Sequence, residues 1–74
     1  MNSPPRLLTP GTIAEELRQP VRRVQYVLAT RQHIRPSALA GIVRLYDRHA
    51  MAQVRHELNA IDARRAEREA ARHA

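Results

Sequence analysis

The apolar positions of this chain fall into four groups, and the spacing within each group predicts an element. Ile13, Ala14 and Leu17 have the intervals of a buried helical stripe. Val21, Val24 and Leu28 repeat those intervals within Pro20 to Thr30, PVRRVQYVLAT, whose opposite side carries Arg22, Arg23, Tyr26 and Thr30. Ile42, Val43, Arg44, Leu45 and Tyr46 form the strongest strand signal in the chain. Met51, Val54, Leu58 and Ile61 then recur at three and four, the narrow stripe of a third and longer helix.

The residues between these groups place the boundaries. Thr9 or Thr12 is suited to cap the first helix, with Pro10 in its first turn and Glu15 and Glu16 near its positive end. Arg18, Gln19 and Pro20 break that helix, and the same proline is well placed to begin the next. Pro36 restricts Ile34 to Leu39 to an edge strand or extended loop, and Ala40 and Gly41 supply a turn before the second strand. A lone hairpin is marginal in water, so this one is expected to lean on the helices through Ile34 and alternate residues of its second strand. Asp47 is placed to cap the third helix.

Met1 to Arg6, with two prolines, reads as a disordered lead, after which Leu7 and Leu8 make the first ordered contact. Beyond Ile61 the stripe stops, and Ala63, Ala66, Ala70 and Ala71 alternate with Arg64, Arg65, Glu67, Arg68, Glu69 and Arg72. Ion pairs there supply only roughly a few tenths of a kcal/mol each, so the tail is expected to fray. The expected fold is mainly α with a small β-hairpin, a winged helix-turn-helix over 7–61, preceded by the lead over 1–6 and followed by a charged tail over 62–74. The plainer alternative is an αα-hairpin with a loop attached.

Charge gives the pattern a direction. The formal net charge is +6 in 74 residues, and all 13 basic residues are arginine. Through His49, eight arginines stand against Glu15, Glu16 and Asp47, a surplus of five, whereas beyond it five arginines face four acids. The excess therefore gathers where the second helix lies. Arginine suits bidentate phosphate and guanine contacts, although a codon bias toward G and C would also produce it.

Other chemistry is thinly represented. There is no cysteine, and His33, His49, His56 and His73 have no spacing that sets two on one helical face with a carboxylate, so no metal and no cofactor are expected. Serine occurs only at Ser3 and Ser37, and no carboxylate pair falls where a cleft would form, so an enzyme is not expected. Nothing resembles a signal segment or a membrane span, which leads to the expectation of a cytoplasmic, nucleoid-associated protein with no membrane partner.

Two motifs resemble the DNA-binding domain of the MerR superfamily, and especially its small excisionase-like members. The recognition helix of that family commonly reads Ser-Val-Arg-Thr-Leu-Arg-Tyr-Tyr, against Pro20-Val21-Arg22-Arg23-Val24-Gln25-Tyr26-Val27 here. Its wing often ends in Gly-Tyr-Arg-Leu-Tyr-Asp, against Gly41-Ile42-Val43-Arg44-Leu45-Tyr46-Asp47, with one extra residue after the glycine. The likeness runs from about Leu8 to Leu58. Gln25 stands where arginine is common, Val27 where the second tyrosine is, and Arg23 adds a charge where a small polar residue is usual.

The resemblance implies that Arg22 contacts the groove and backbone, that Tyr26 contacts a phosphate, and that Arg44 is the wing's backbone contact. It leaves Tyr46 either packed on the helices or facing DNA. With Arg23, Gln25 and Thr30 on the same helix, and Arg18, Arg31 and Arg35 flanking it, the expected DNA-binding set is complete.

The expected partner is double-stranded DNA, with an integrase or recombinase, or further copies of the chain, beside it. The expected role is that of an excisionase, a recombination directionality factor that bends DNA. The alternatives are a small MerR-like transcriptional regulator, or a protein-protein interaction module docking through Met51, Val54, Leu58 and Ile61. A chain without cysteine or room for a sensor domain is not expected to take a small-molecule effector.

Overall fold

The computed structural model describes residues 7–73, so the expected lead over 1–6 lies outside the described residues. Three helices, α1 (Pro10–Leu17), α2 (Val21–Thr30) and α3 (Arg48–His73), are joined in order, with a hairpin of β1 (Ala38–Ala40) and β2 (Val43–Leu45) between α2 and α3. The protein is therefore mainly helical with a small two-stranded antiparallel hairpin. Among the described residues no helix is long and apolar enough to cross a membrane.

Each boundary has a local cause. The Thr9 hydroxyl accepts from the Thr12 N–H at 3.1 Å and caps α1, whose first residue is Pro10. α1 ends because Arg18 turns left-handed, at φ 55°, so that Arg18 N–H donates to the Glu15 carbonyl at 3.2 Å and Gln19 N–H to Ala14 at 2.9 Å. That pair of bonds is a Schellman closure, in which glycine is the usual occupant of the left-handed position. Pro20 is extended and starts α2 without any side-chain cap. α3 begins where Asp47 Oδ1 accepts from the Ala50 N–H at 2.8 Å, the cap the sequence predicts.

The hairpin pairs Ala38 with Leu45, Leu39 with Arg44 and Ala40 with Val43. Its turn is Gly41–Ile42, one residue later than expected, because only Gly41 takes a positive φ (63°) at the first loop position. Glycine first, with an ordinary φ after it, is the arrangement of a type II′ turn. Tyr46 continues β2 by exchanging two 2.7 Å bonds with Leu8. Leu45 O accepts from Ser37 on the β1 side, so Leu8 occupies the other edge and β2 runs between two neighbours.

One core joins these parts. Leu8, Ile13, Ala14, Val24, Val27, Ile34, Tyr46, Ala50, Val54 and Leu58 are buried together, with Leu17, Leu28, Met51 and Ile61 half-covered against them. Tyr46, 2% exposed, is among the largest of these side chains, which corrects its place in the DNA-binding set. The apolar arc of α2 is also corrected, since Val27 is fully buried while Val21 is 44% exposed. At about 100° per residue, an arc drawn through Val21, Val24 and Leu28 lies roughly 60° from the one centred on Val24 and Val27. The shift brings Arg23 from the outer face to the flank that meets α3.

The tail expected to fray is helical to His73, with 62–72 exposed. Alanine and arginine are strong helix formers, and the segment propagates a helix already nucleated against the core.

Tyr46→Ala should cost about 3–5 kcal/mol, the scale for emptying a large buried ring. A chain of this size commands only roughly 4–11 kcal/mol in total. Tyr46→Phe should keep the fold, and thermal unfolding of the two variants separates a packing role from a surface one.

Candidate functional site

The residues on three sides of α2 differ in kind. Outward it presents Arg22, Gln25, Tyr26 and Ala29, all exposed, Tyr26 to 54%. On one flank Val21, Gln25 and Leu28 face Ile42, Val43 and Arg44 of the hairpin across an open groove of about 520 Å³. On the other flank Arg23 and Arg31 meet α3.

That second flank is held by ion pairs. The Arg23 guanidinium donates to Asp62 Oδ1 at 2.6 Å and to Gln19 Oε1 at 2.7 Å. Arg31 Nε donates to Glu57 Oε1 at 2.6 Å, its Nη1 donates to the Thr30 hydroxyl at 3.0 Å, and its guanidinium carbon stands 6.0 Å from the centre of the Tyr26 ring. Arg31 and Glu57 are the more covered pair, 23% and 19% exposed, against 29% and 50% for Arg23 and Asp62. Arg23 and Arg31, both expected on DNA, are thus engaged within the molecule. Thr30 is engaged too, its hydroxyl donating to the Tyr26 carbonyl at 2.8 Å.

The remaining expected residues are brought together in two groups. Gln25 and Arg44 line the groove between α2 and the hairpin. Arg44 and Arg35 line a second depression, with Pro36, Ser37, Ala38 and Leu39, on the far side of the hairpin. Arg18 is exposed at the turn between α1 and α2 and belongs to neither group. Because no side chain caps α2, its positive dipole end adds to the field of Arg22.

The chemistry available on this surface is recognition of an anion. Guanidiniums, an amide and a phenol supply donors, and exposed Val21, Ile42 and Val43 supply apolar contact. Among the described residues no three of His, Cys, Asp and Glu come together to hold a metal ion. Sequence reasoning missed Arg64, Arg65 and Arg68, which border the same depressions as Arg22, Tyr26 and Arg31. The signal was present, since Arg65 and Arg68 continue the three-and-four spacing that ends in Ile61.

Two carboxyls are held below their ordinary range. For Asp47 the leading cause is the Ala50 N–H, supported by Ser37 and the charge of His49 and opposed by partial desolvation. For Glu57 it is the hydrogen bond from Arg31, again opposed by desolvation, with Arg31, His33 and His56 adding favourable charge.

Both carboxyls ionise more readily folded than unfolded, so their contribution to stability is complete above the unfolded range and disappears as pH falls through the folded values. The thermal midpoint should therefore drop from roughly pH 4 downward. Glu57→Gln should flatten part of that fall, read by circular dichroism across the carboxylate range, from about pH 2 to about pH 7. Arg18→Gly should raise stability by up to about 1 kcal/mol by relieving the left-handed arginine, measured by denaturant unfolding. Compared with protein-family models, with curated proteins and with solved structures, the chain matches none of them.

Proposed function

We propose that the chain is a winged helix-turn-helix protein that binds double-stranded DNA, with α2 in the major groove and the hairpin as a wing on the adjacent backbone. One observation carries this reading: the exposed face of α2 presents Arg22, Gln25 and Tyr26 beside a hairpin whose Arg44 borders the same groove as Gln25. Arg22 and Gln25 lie in the first half of α2, the part that helix-turn-helix proteins bring to base edges. Arg22 and Gln25 are then the base-edge candidates, Tyr26 and Arg44 the phosphate contacts, and Arg18 and Arg35 the flanking charges. Arg23 and Arg31 position α2 on α3.

The resemblance to MerR-type excisionases favours an architectural role in site-specific recombination, with copies bound side by side next to a recombinase. The form of α3 supports this over a two-fold regulator. Beyond Ile61 the described part of α3 carries alanine and charged residues up to His73 and no apolar seam with which two copies could pair. Footprints over direct repeats agree with the architectural role, and a single palindrome bound by a stable dimer would replace it with a regulator.

Arg22→Ala should weaken binding to a cognate duplex by roughly 1–3 kcal/mol at fixed salt. Arg23→Ala should change affinity less than about threefold, because its exposed pair with Asp62 contributes roughly 0–1 kcal/mol, and to stability. Mobility-shift titrations of both variants test the assignment, and equal losses would sink it.

A further inference from the structure

The second half of α3 bears a charge pattern that its packing does not require. At about 100° per residue, Val54, Ile61, Arg65, Arg68 and Arg72 fall within roughly 30° of one direction around the helix. The face that is buried against α2 as far as Ile61 is thus continued, once α2 has ended, by arginine. Ala63, Ala66 and Ala70 gather on the opposite face, Glu67 lies roughly 130° from the arginine row and Glu69 roughly 70° from it. Glu69 nevertheless borders one depression with Arg65, Arg68 and Arg72, and Arg64 lies roughly 70° from the row on the other side.

The row is continuous with the outer face of α2. Arg65 borders one depression with Arg22, Arg23, Tyr26, Leu58 and Ile61. Arg64, Arg65 and Arg68 border a second with Tyr26, Arg31 and Ile61. The acids of α3 nearest to α2, Glu57 and Asp62, are already taken by Arg31 and Arg23. Among the described residues Arg64, Arg65, Arg68 and Arg72 form no salt bridge.

We infer that Arg64, Arg65, Arg68 and Arg72 form a second phosphate-binding surface, which holds the DNA backbone on the side of α2 opposite the hairpin. The inference rests on the DNA-binding reading and extends it from a grip with two parts to one with three. Its dimensions fit: Arg65 to Arg72 covers about 10 Å along the helix axis, or about three base-pair steps of one strand at 3.4 Å each. Arg72 marks the outer limit of the contact, and Tyr26 marks the point where it joins the contacts of α2. The surface reads no sequence, since guanidiniums on phosphates bear on affinity and register alone.

The test is the salt dependence of binding to a random-sequence duplex, followed by fluorescence anisotropy. Three proteins are compared: the unaltered chain, the variant Arg64→Gln/Arg65→Gln/Arg68→Gln, and Arg22→Gln/Arg44→Gln. Each phosphate contact contributes about 0.9 to the slope of log affinity against log salt, so the tail variant should lose about 2 to 3 from it. Replacing the same three arginines with lysine should restore the slope, which excludes loss of the helix as the cause.

If the unaltered chain ignores the duplex, the DNA reading fails together with this one. If it binds, and Arg22→Gln/Arg44→Gln weakens it while the tail variant keeps the full slope, only the tail assignment is overturned. A lysine variant that stays as weak as the glutamine variant overturns it too, since a phosphate surface tolerates either cation.

Discussion

Tyr46 and Asp47, consecutive in the chain, fix the relation between the hairpin and the helices. The Tyr46 backbone exchanges both of its hydrogen bonds with Leu8 while its ring is buried in the core, and the Asp47 carboxylate begins α3 by holding the Ala50 N–H. A strand, an N-terminal segment and a helix therefore share one short stretch of backbone. The hairpin cannot rotate about that stretch without losing a cap, a bridge or a buried ring, each of which has no substitute nearby. This is what allows a two-stranded hairpin, marginal by itself, to hold Arg44 at a set distance from α2.

The three helices and β2 were legible in the sequence because each was announced twice, once by apolar spacing and once by punctuation, whereas β1 was expected within Ile34 to Leu39 and lies at Ala38–Ala40. Pro10 and Thr9 open α1, Pro20 separates α1 from α2, Gly41 turns the hairpin and Asp47 starts α3. The bridge from Leu8 to Tyr46 was not legible, because pairing across such a separation leaves no local mark. The error over α2 had a simple origin. Val21 and Val27 are chemically alike, and only tertiary contact decides that Val27 is enclosed by the core while Val21 faces the hairpin groove.

The consequences for the candidate site follow from that one rotation. With Val27 buried, Arg22, Gln25 and Tyr26 remain outward, while Arg23 swings toward Asp62 and Arg31 lies near Glu57. A chain whose basic residues are all arginine thus divides them by task. Some fasten α2 to α3 through carboxylates, and among the described residues the others form no salt bridge and give the surface its field. The alanine-rich tail, expected from the sequence to fray, acquires a face only when its phase is followed onward from Ile61.

The Leu8–Tyr46 bridge also has a kinetic side. Closing it joins residues 38 positions apart, an entropic cost of about 3 kcal/mol from chain length alone, whereas α1 and α2 meet across a connection of three residues, Arg18 to Pro20. The helical pair can therefore assemble early, and the seam between the N-terminal segment and β2 closes against the steepest loss of freedom. In the finished protein that seam is two hydrogen bonds wide. Opening it would free the hairpin to swing relative to α2 only by drawing Leu8 and Tyr46 out of the shared core.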